Sequence, residues 1–327
     1  MARSIDWSEI LGDSPIDWLL ERSNPSVRYF TLVDILGKPQ DDLEVRYTKK
    51  AISESATVQM ILRKQNPIGY WENPNSPYVP KYKSSYWTLM VLSNLGIDKT
   101  CDEVAKACEF IFQFQLEDGG FPCENIGTGR ESQLSCLTGN MVAALVRLGY
   151  ENDSRVKRAV NWLVRIQNRD GGWLCPYWKA HARDRHGCFM GTICPLEAFS
   201  EIRSTDLRKE LTVSISNGAE FLLMHRLFKA DHHNYRIINQ AWLELGFPWF
   251  FSYNILRGLD VLTKLGYVND PRLEDGVDML LQKRQKNGSW VLENSPVGRM
   301  QVDIETKGQP SKWITLIALR MLKRLRI

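Results

Sequence analysis

One short turn recurs along this chain, and its recurrence limits the possible folds more than any other feature. Residues 115–123 read QLEDGGFPC and residues 167–175 read QNRDGGWLC, 52 positions apart. Related copies read QNPIGYW at 65–71 and QKNGSW at 285–290. Self-similarity at a fixed period of this size marks a stack of supersecondary units, each too small to bury its own apolar face. The interval from Trp173 to Trp290 holds two repeat lengths, so a degenerate copy is expected near 222–235, where no Gly-Gly-Trp survives.

Each turn follows a stretch with apolar residues at three- and four-residue spacing, at 51–64, 101–114, 154–166 and 272–284. That spacing predicts amphipathic helices, and glycine just past the last apolar position stops a helix because it enters the left-handed region without strain. Between the turns lie segments apolar on most faces: 28–36, 85–95, 137–148, 189–202, 251–265 and 312–325. A helix apolar nearly all round is surrounded by protein. With 16–22 as a further outer helix, six inner and six outer helices result. The expected fold is all-α, an (α/α)6 toroid of about six helical-hairpin repeats, one domain over residues 1–327. Ser85, Cys136, Cys188 and Phe251 are expected at equivalent starts of inner helices.

The Q-x-x-D-G-G-W turns resemble the QW repeats of terpene cyclases such as the squalene and hopene cyclases, and the repeat is also similar to that of protein prenyltransferase β subunits. The likeness runs over roughly residues 25–325 and implies the toroid. It says less about chemistry, because fold does not fix function. The acidic D-x-D-D run with which such cyclases protonate an alkene is missing, as is the D-D-x-x-D run that holds magnesium and diphosphate. Squalene-type cyclisation is therefore excluded. Cys188 in HGCFMGT matches the catalytic zinc cysteine of the D-G-C-Y-S-F-W segment of prenyltransferases, with His186 in place of its aspartate. The histidine those enzymes carry on the next inner helix is absent from 247–253. The HGC triplet also resembles, loosely, the C-H-G of lanthipeptide cyclases, which are zinc-bearing toroids.

The residues themselves point to a metal. Cys136 and Cys188 each follow a turn cysteine, Cys123 and Cys175, by 13 positions, so a ring of repeats should gather all four at one mouth. Helix N-termini favour the thiolate, and four thiolates suit zinc or, alternatively, an iron–sulfur cluster. His186 is the reserve ligand. Cys101, Cys108 and Cys194 read as core, and His232-His233 as a weaker metal candidate. No leader-like apolar stretch or long apolar run is visible, so the seven cysteines suggest a reducing, cytoplasmic setting.

The loops into the inner helices are basic. Lys81, Lys83, Arg130, Lys179, His181, Arg183, Arg185, Arg299, Lys307 and Lys312 form a candidate anion site beside helix N-termini. A net charge of +4 is too mild for a nucleic-acid partner. Asp184, Asp303 and Glu305 are the candidate acids or bases. Tyr29, Tyr86, Trp87, Phe189, Trp249, Phe250, Tyr253 and Trp313 are expected to line an apolar central cavity. The expected function is an enzyme-like toroid of the terpene-cyclase or prenyltransferase class that holds an apolar, isoprenoid-like ligand. The alternatives are a non-catalytic lipid- or peptide-binding module with structural zinc, and a zinc enzyme of the lanthipeptide-cyclase kind.

Overall fold

The structure is a computed structural model and describes residues 15–123, 132–175 and 183–325. Its first half contains α1 (Ile16–Leu19), α2 (Pro25–Phe30, continued by a π-helical turn Thr31–Ile35), α3 (Leu43–Glu54), α4 (Ala56–Leu62), α5 (Ser85–Asn94), α6 (Asp102–Phe112), α7 (Ser135–Arg147) and α8 (Ser154–Arg165). The second half adds α9 (Phe189–Glu201), α10 (Thr205–Met224), α11 (Ile255–Lys264), α12 (Glu274–Gln282) and α13 (Lys312–Arg324). Strands among the described residues are two-residue pairs: β1 (Lys229–Ala230) with β2 (Arg236–Ile237), and β3 (Trp290–Val291) with β4 (Pro310–Ser311), both antiparallel.

Helices α2, α5, α7, α9, α11 and α13 form the inner ring, and their residues are buried along nearly their whole length from α5 onward. The ring closes where α13 meets α2. Lys323 there donates to the carbonyls of Asp34 and Ile35, both at 2.9 Å. One contiguous apolar core runs from Leu19 to Leu322. No described helix is long and apolar enough to cross a membrane.

The recurring turn is the joint between repeats, and its residues each have defined tasks. The indole N–H of Trp71, Trp173 and Trp290 donates to the carbonyl ten residues back, on Ile61, Leu163 and Leu280. The same residue's backbone N–H donates to an inner-helix hydroxyl: Ser85, Thr192 or Thr315, and Thr138 for the copy with Phe121. Gln65, Gln115 and Gln167 each clip their own turn and reach the next outer helix, at the carbonyls of Glu103, Arg155 and Ser214. Gly119 has φ +108, and a Cβ there would lie 2.3 Å from the Arg158 carbonyl oxygen. Only glycine lets turn and helix come that close.

The sequence reading misplaced several boundaries. The helix expected over 51–64 starts at Leu43, capped by Asp42, and breaks at Ser55, whose extended backbone begins a new helix. The helix expected over 16–22 ends at Leu19. The inner helix expected from 251 begins at Ile255 behind the Asn254 cap, so Phe251 lies in the preceding turn. Cys188 is the cap residue of α9, whereas Cys136 is the second residue of α7, so these two are out of step along their helices. The shared hydroxyl positions, not the cysteines, set the register. The degenerate fourth turn lacks glycine, and Arg226 and Leu227 take the positive φ instead.

Candidate functional site

The mouth of the ring, where the inner helices start, gathers the thiols. Cys123 and Cys175 are buried, while Cys136 and Cys188 are half-buried. Cys136 hydrogen-bonds Cys175, and the Ser135 hydroxyl lies 3.6 Å from the Cys175 sulfur. The Cys136 thiol is pushed well above the ordinary range, first by that bond and then by burial. Burial also raises Cys188, outweighing the backbone N–H groups of Met190 and Gly191 that favour its thiolate. The expected acidification by helix N-termini is thus overridden, by the bond to Cys175 together with burial at Cys136 and by burial at Cys188. Among the described residues no group of three or more His, Cys, Asp or Glu could hold a metal ion.

His186 is exposed and packs on α10 and its C-cap. Its ring packs 5.1 Å from Phe221 and 5.3 Å from His225, with Nδ1 4.0 Å from an Asp170 oxygen. His232 and His233 are exposed, and His232 sits 3.2 Å from Asp231. Cys108 and Cys194 are fully buried, as expected of core residues, but Cys101 is half-exposed at the start of α6.

The candidate acids and cations divide by their partners. Glu305 accepts from the Lys312 and Trp313 backbone N–H groups and the Ser311 hydroxyl, so it caps α13, while burial raises its pKa. Asp303 fastens the turn at Gly298, and Asp184 is exposed. Lys312 is spent on the Trp18 carbonyl and the Glu21 carboxylate, which dock α1. Arg299 lies 4.7 Å over the Tyr82 ring and Lys81 5.2 Å over that of Phe251. Lys83 is half-buried, its carbonyl accepting from Gln301, and Arg183, Arg185 and Lys307 are exposed. Arg130, Lys179 and His181 lie outside the described residues.

Among the described residues the aromatic side chains pack mainly against one another. Trp87 packs with Tyr78, Tyr82, Phe250 and Phe251 at centroid distances of 5.0 to 6.0 Å. Phe189 packs with Trp242, Tyr253, Phe221 and His225. Trp313 stacks on Phe247 at 4.6 Å. Tyr86 faces the repeat turn, edge-on to Phe121, and Tyr29 bonds Gln40 beneath Lys49 on the outside. Trp249 and Phe250 reach the axis, where a cavity leaves about 10 Å³ for the centre of a water-sized body, room for a single small occupant. Part of the reason is the approach of α7 to α9: a Cβ on Gly139 would lie 2.5 Å from the Cys194–Pro195 backbone.

What fills the axis was missed from the sequence. Arg257 is 1% exposed and donates to Glu197, Asn140 and the carbonyls of Phe250 and Ser252. Arg147 pairs with Glu197 and Glu201 and donates to Asn94, and Lys264 pairs with Glu201 at 2.6 Å. Arg320 and Arg324 meet Asp260, and Arg320 also meets Asp34. These groups tie together all six inner helices. The available signal was a set of charges at three- and four-residue spacing within otherwise apolar segments, as in LEAFSE and ILRGLDVLTK.

A family model described as the squalene-hopene cyclase C-terminal domain matches residues 33–181. Protostadienol synthase A of Arthroderma gypseum is 29% identical over 101 residues, which is 28% of this chain and 14% of that protein. A solved polysaccharide lyase is 13% identical with a TM-score of 0.53, covering 99% of this chain and 98% of that one. A variant of the type II terpene cyclase MstE from Scytonema, solved with geranylgeranyl dihydroxybenzoate, is 14% identical at a TM-score of 0.46, over 93% of this chain and 87% of that chain. Part of this chain is therefore similar in sequence to terpene cyclases, and its architecture is an α/α toroid. The chain matches only a small part of the synthase's length.

Proposed function

We propose that this toroid takes an amphipathic ligand, an apolar isoprenoid-type chain with an anionic head, at its mouth, and that it does not perform squalene-type cyclisation. The observation that carries the reading is the half-buried cluster of Tyr78, Tyr82 and Phe251 beneath the cations Lys81 and Arg299. Rings supply apolar surface, and the adjacent cations suit a phosphate or carboxylate head. The axis is occupied by ion pairs, and its small cavity is far below the roughly 300 Å³ at which ligand pockets begin.

The test is titration of the purified protein with farnesyl diphosphate, read by tryptophan fluorescence and by product analysis. Saturable binding, weakened about tenfold in Arg299→Ala and Phe251→Ala, with no cyclised product, is expected; a lost contact of roughly 1.4 kcal/mol is worth that factor. Unaltered binding in both variants, or turnover to a cyclic hydrocarbon, defeats the proposal. Metal analysis of the same preparation tests the zinc and iron–sulfur expectations. The contacting thiols of Cys136 and Cys175 would supply two ligands, and a stoichiometric metal would require Cys123 or Cys188 to join them.

A further inference from the structure

The axial cavity contains an imbalance that the packing leaves uncorrected. Two buried donors that line it, Asn140 Nδ2 and Trp249 Nε1, have no hydrogen-bond partner, and their residues are 7% and 8% exposed. The Asn140 amide is not free to flip, because its Oδ1 accepts from Arg257 Nη2 at 2.9 Å. Its N–H groups must therefore look elsewhere. A buried donor without a partner carries the full cost of lost hydration, so two in one cavity call for an acceptor.

The side-chain carboxylate and amide acceptors in the lining are already engaged. Both Glu197 oxygens accept from guanidinium groups, one from Arg147 and the other from Arg257, and Asn94 Oδ1 accepts from Arg147. Charge points the same way. The ion pairs around the cavity comprise Arg147, Arg257 and Lys264 against Glu197 and Glu201, one cation in excess. Burial lowers the Lys264 pKa while Glu201 opposes it, and an anion on the axis would oppose it further.

We propose that this cavity is a binding site for one monovalent anion of halide size, held by the Asn140 and Trp249 N–H groups in the field of Arg147 and Arg257. The site lies in the ring's core, separate from the mouth, and does not depend on what the mouth binds. Its occupant would join α7 to the loop before α11 and complete the polar plug.

The experiment compares thermal unfolding in sodium chloride, sodium bromide and sodium gluconate at equal ionic strength. A saturable rise on the order of a few degrees with either halide over gluconate is expected, since a ligand that binds only the folded state stabilises it by mass action. Asn140→Asp keeps the oxygen that faces Arg257 and supplies a tethered negative charge, so it should abolish the halide response. Trp249→Phe removes one donor and should raise the half-saturating halide concentration at least about tenfold, the effect of losing one charge-assisted hydrogen bond. If Trp249→Phe does not fold, Asn140→Asp decides alone. Equal midpoints in all three salts would mean that the cavity takes only water. A halide response kept in Asn140→Asp would put the ion elsewhere. Either result overturns the proposal.

Discussion

Replacing Arg257 with methionine tests whether the axial ion pairs hold the ring together. The side chain is 1% exposed, so its charge is compensated wholly by protein groups. Methionine retains much of the stem volume but strands the Phe250 and Ser252 carbonyls, the Asn140 oxygen and one face of Glu197. Removing one member of a buried pair typically costs 3–5 kcal/mol, because the remaining charge has lost its partner without regaining water, and about 4 kcal/mol is expected here. Arg272→Met is the control. Arg272 also pairs with two carboxylates, Asp270 and Glu220, but its side chain is 34% exposed and that of Glu220 is 53%. Solvent screens that site, and a loss under about 1 kcal/mol is expected. Urea unfolding followed by circular dichroism and tryptophan fluorescence gives both values, and subtracting them removes most effects of Arg→Met on the unfolded chain. If the two variants fall within about 1 kcal/mol of one another, the axial network is not what fixes the inner helices.

Two further outcomes follow from the same geometry. Gly119→Ala should cost roughly 3 kcal/mol or more, since it adds left-handed strain to a clash with the Arg158 carbonyl, whereas Gly37→Ala, at φ +69 with open space around it, should cost only about 1 kcal/mol; equal unfolding midpoints would refute the joint assigned to the turn. Stability should also fall on the acid side. Burial would raise the Glu197, Glu201 and Asp260 carboxyls, but Arg257, Arg147, Arg320 and Arg324 overcome it, holding all three below their ordinary values and Asp260 at about 2. Because the folded pKa values are depressed, their contribution is complete above the unfolded carboxylate range near 4 and is lost as pH drops towards 2. Melting temperature should stay level from about pH 7 to 5 and fall below about 4, less steeply in Asp260→Asn; a wild-type loss already complete at pH 5 would count against it.

The sequence by itself determined the repeats, because their turn uses residues whose requirements are local. Glycine is needed where φ is positive, tryptophan reaches ten residues back, and the apolar period marks which helices are inside. It could not determine the register at the mouth. Cys136 and Cys188 share a spacing from their turns, yet α7 and α9 start at different points relative to the hydroxyls of Thr138 and Thr192, which only the packed helices reveal. Nor could it give the contents of the axis. Aromatic residues at helix starts read as cavity lining, but whether a ring encloses space depends on how closely its helices approach, and Gly139 brings α7 against Pro195 of α9. The charges in LEAFSE and ILRGLDVLTK belong to helices far apart in sequence, and their pairing exists only once the ring has closed. Local conformation is encoded within a repeat. Electrostatic compensation at the centre is a sum over all six, and only the tertiary structure carries it out.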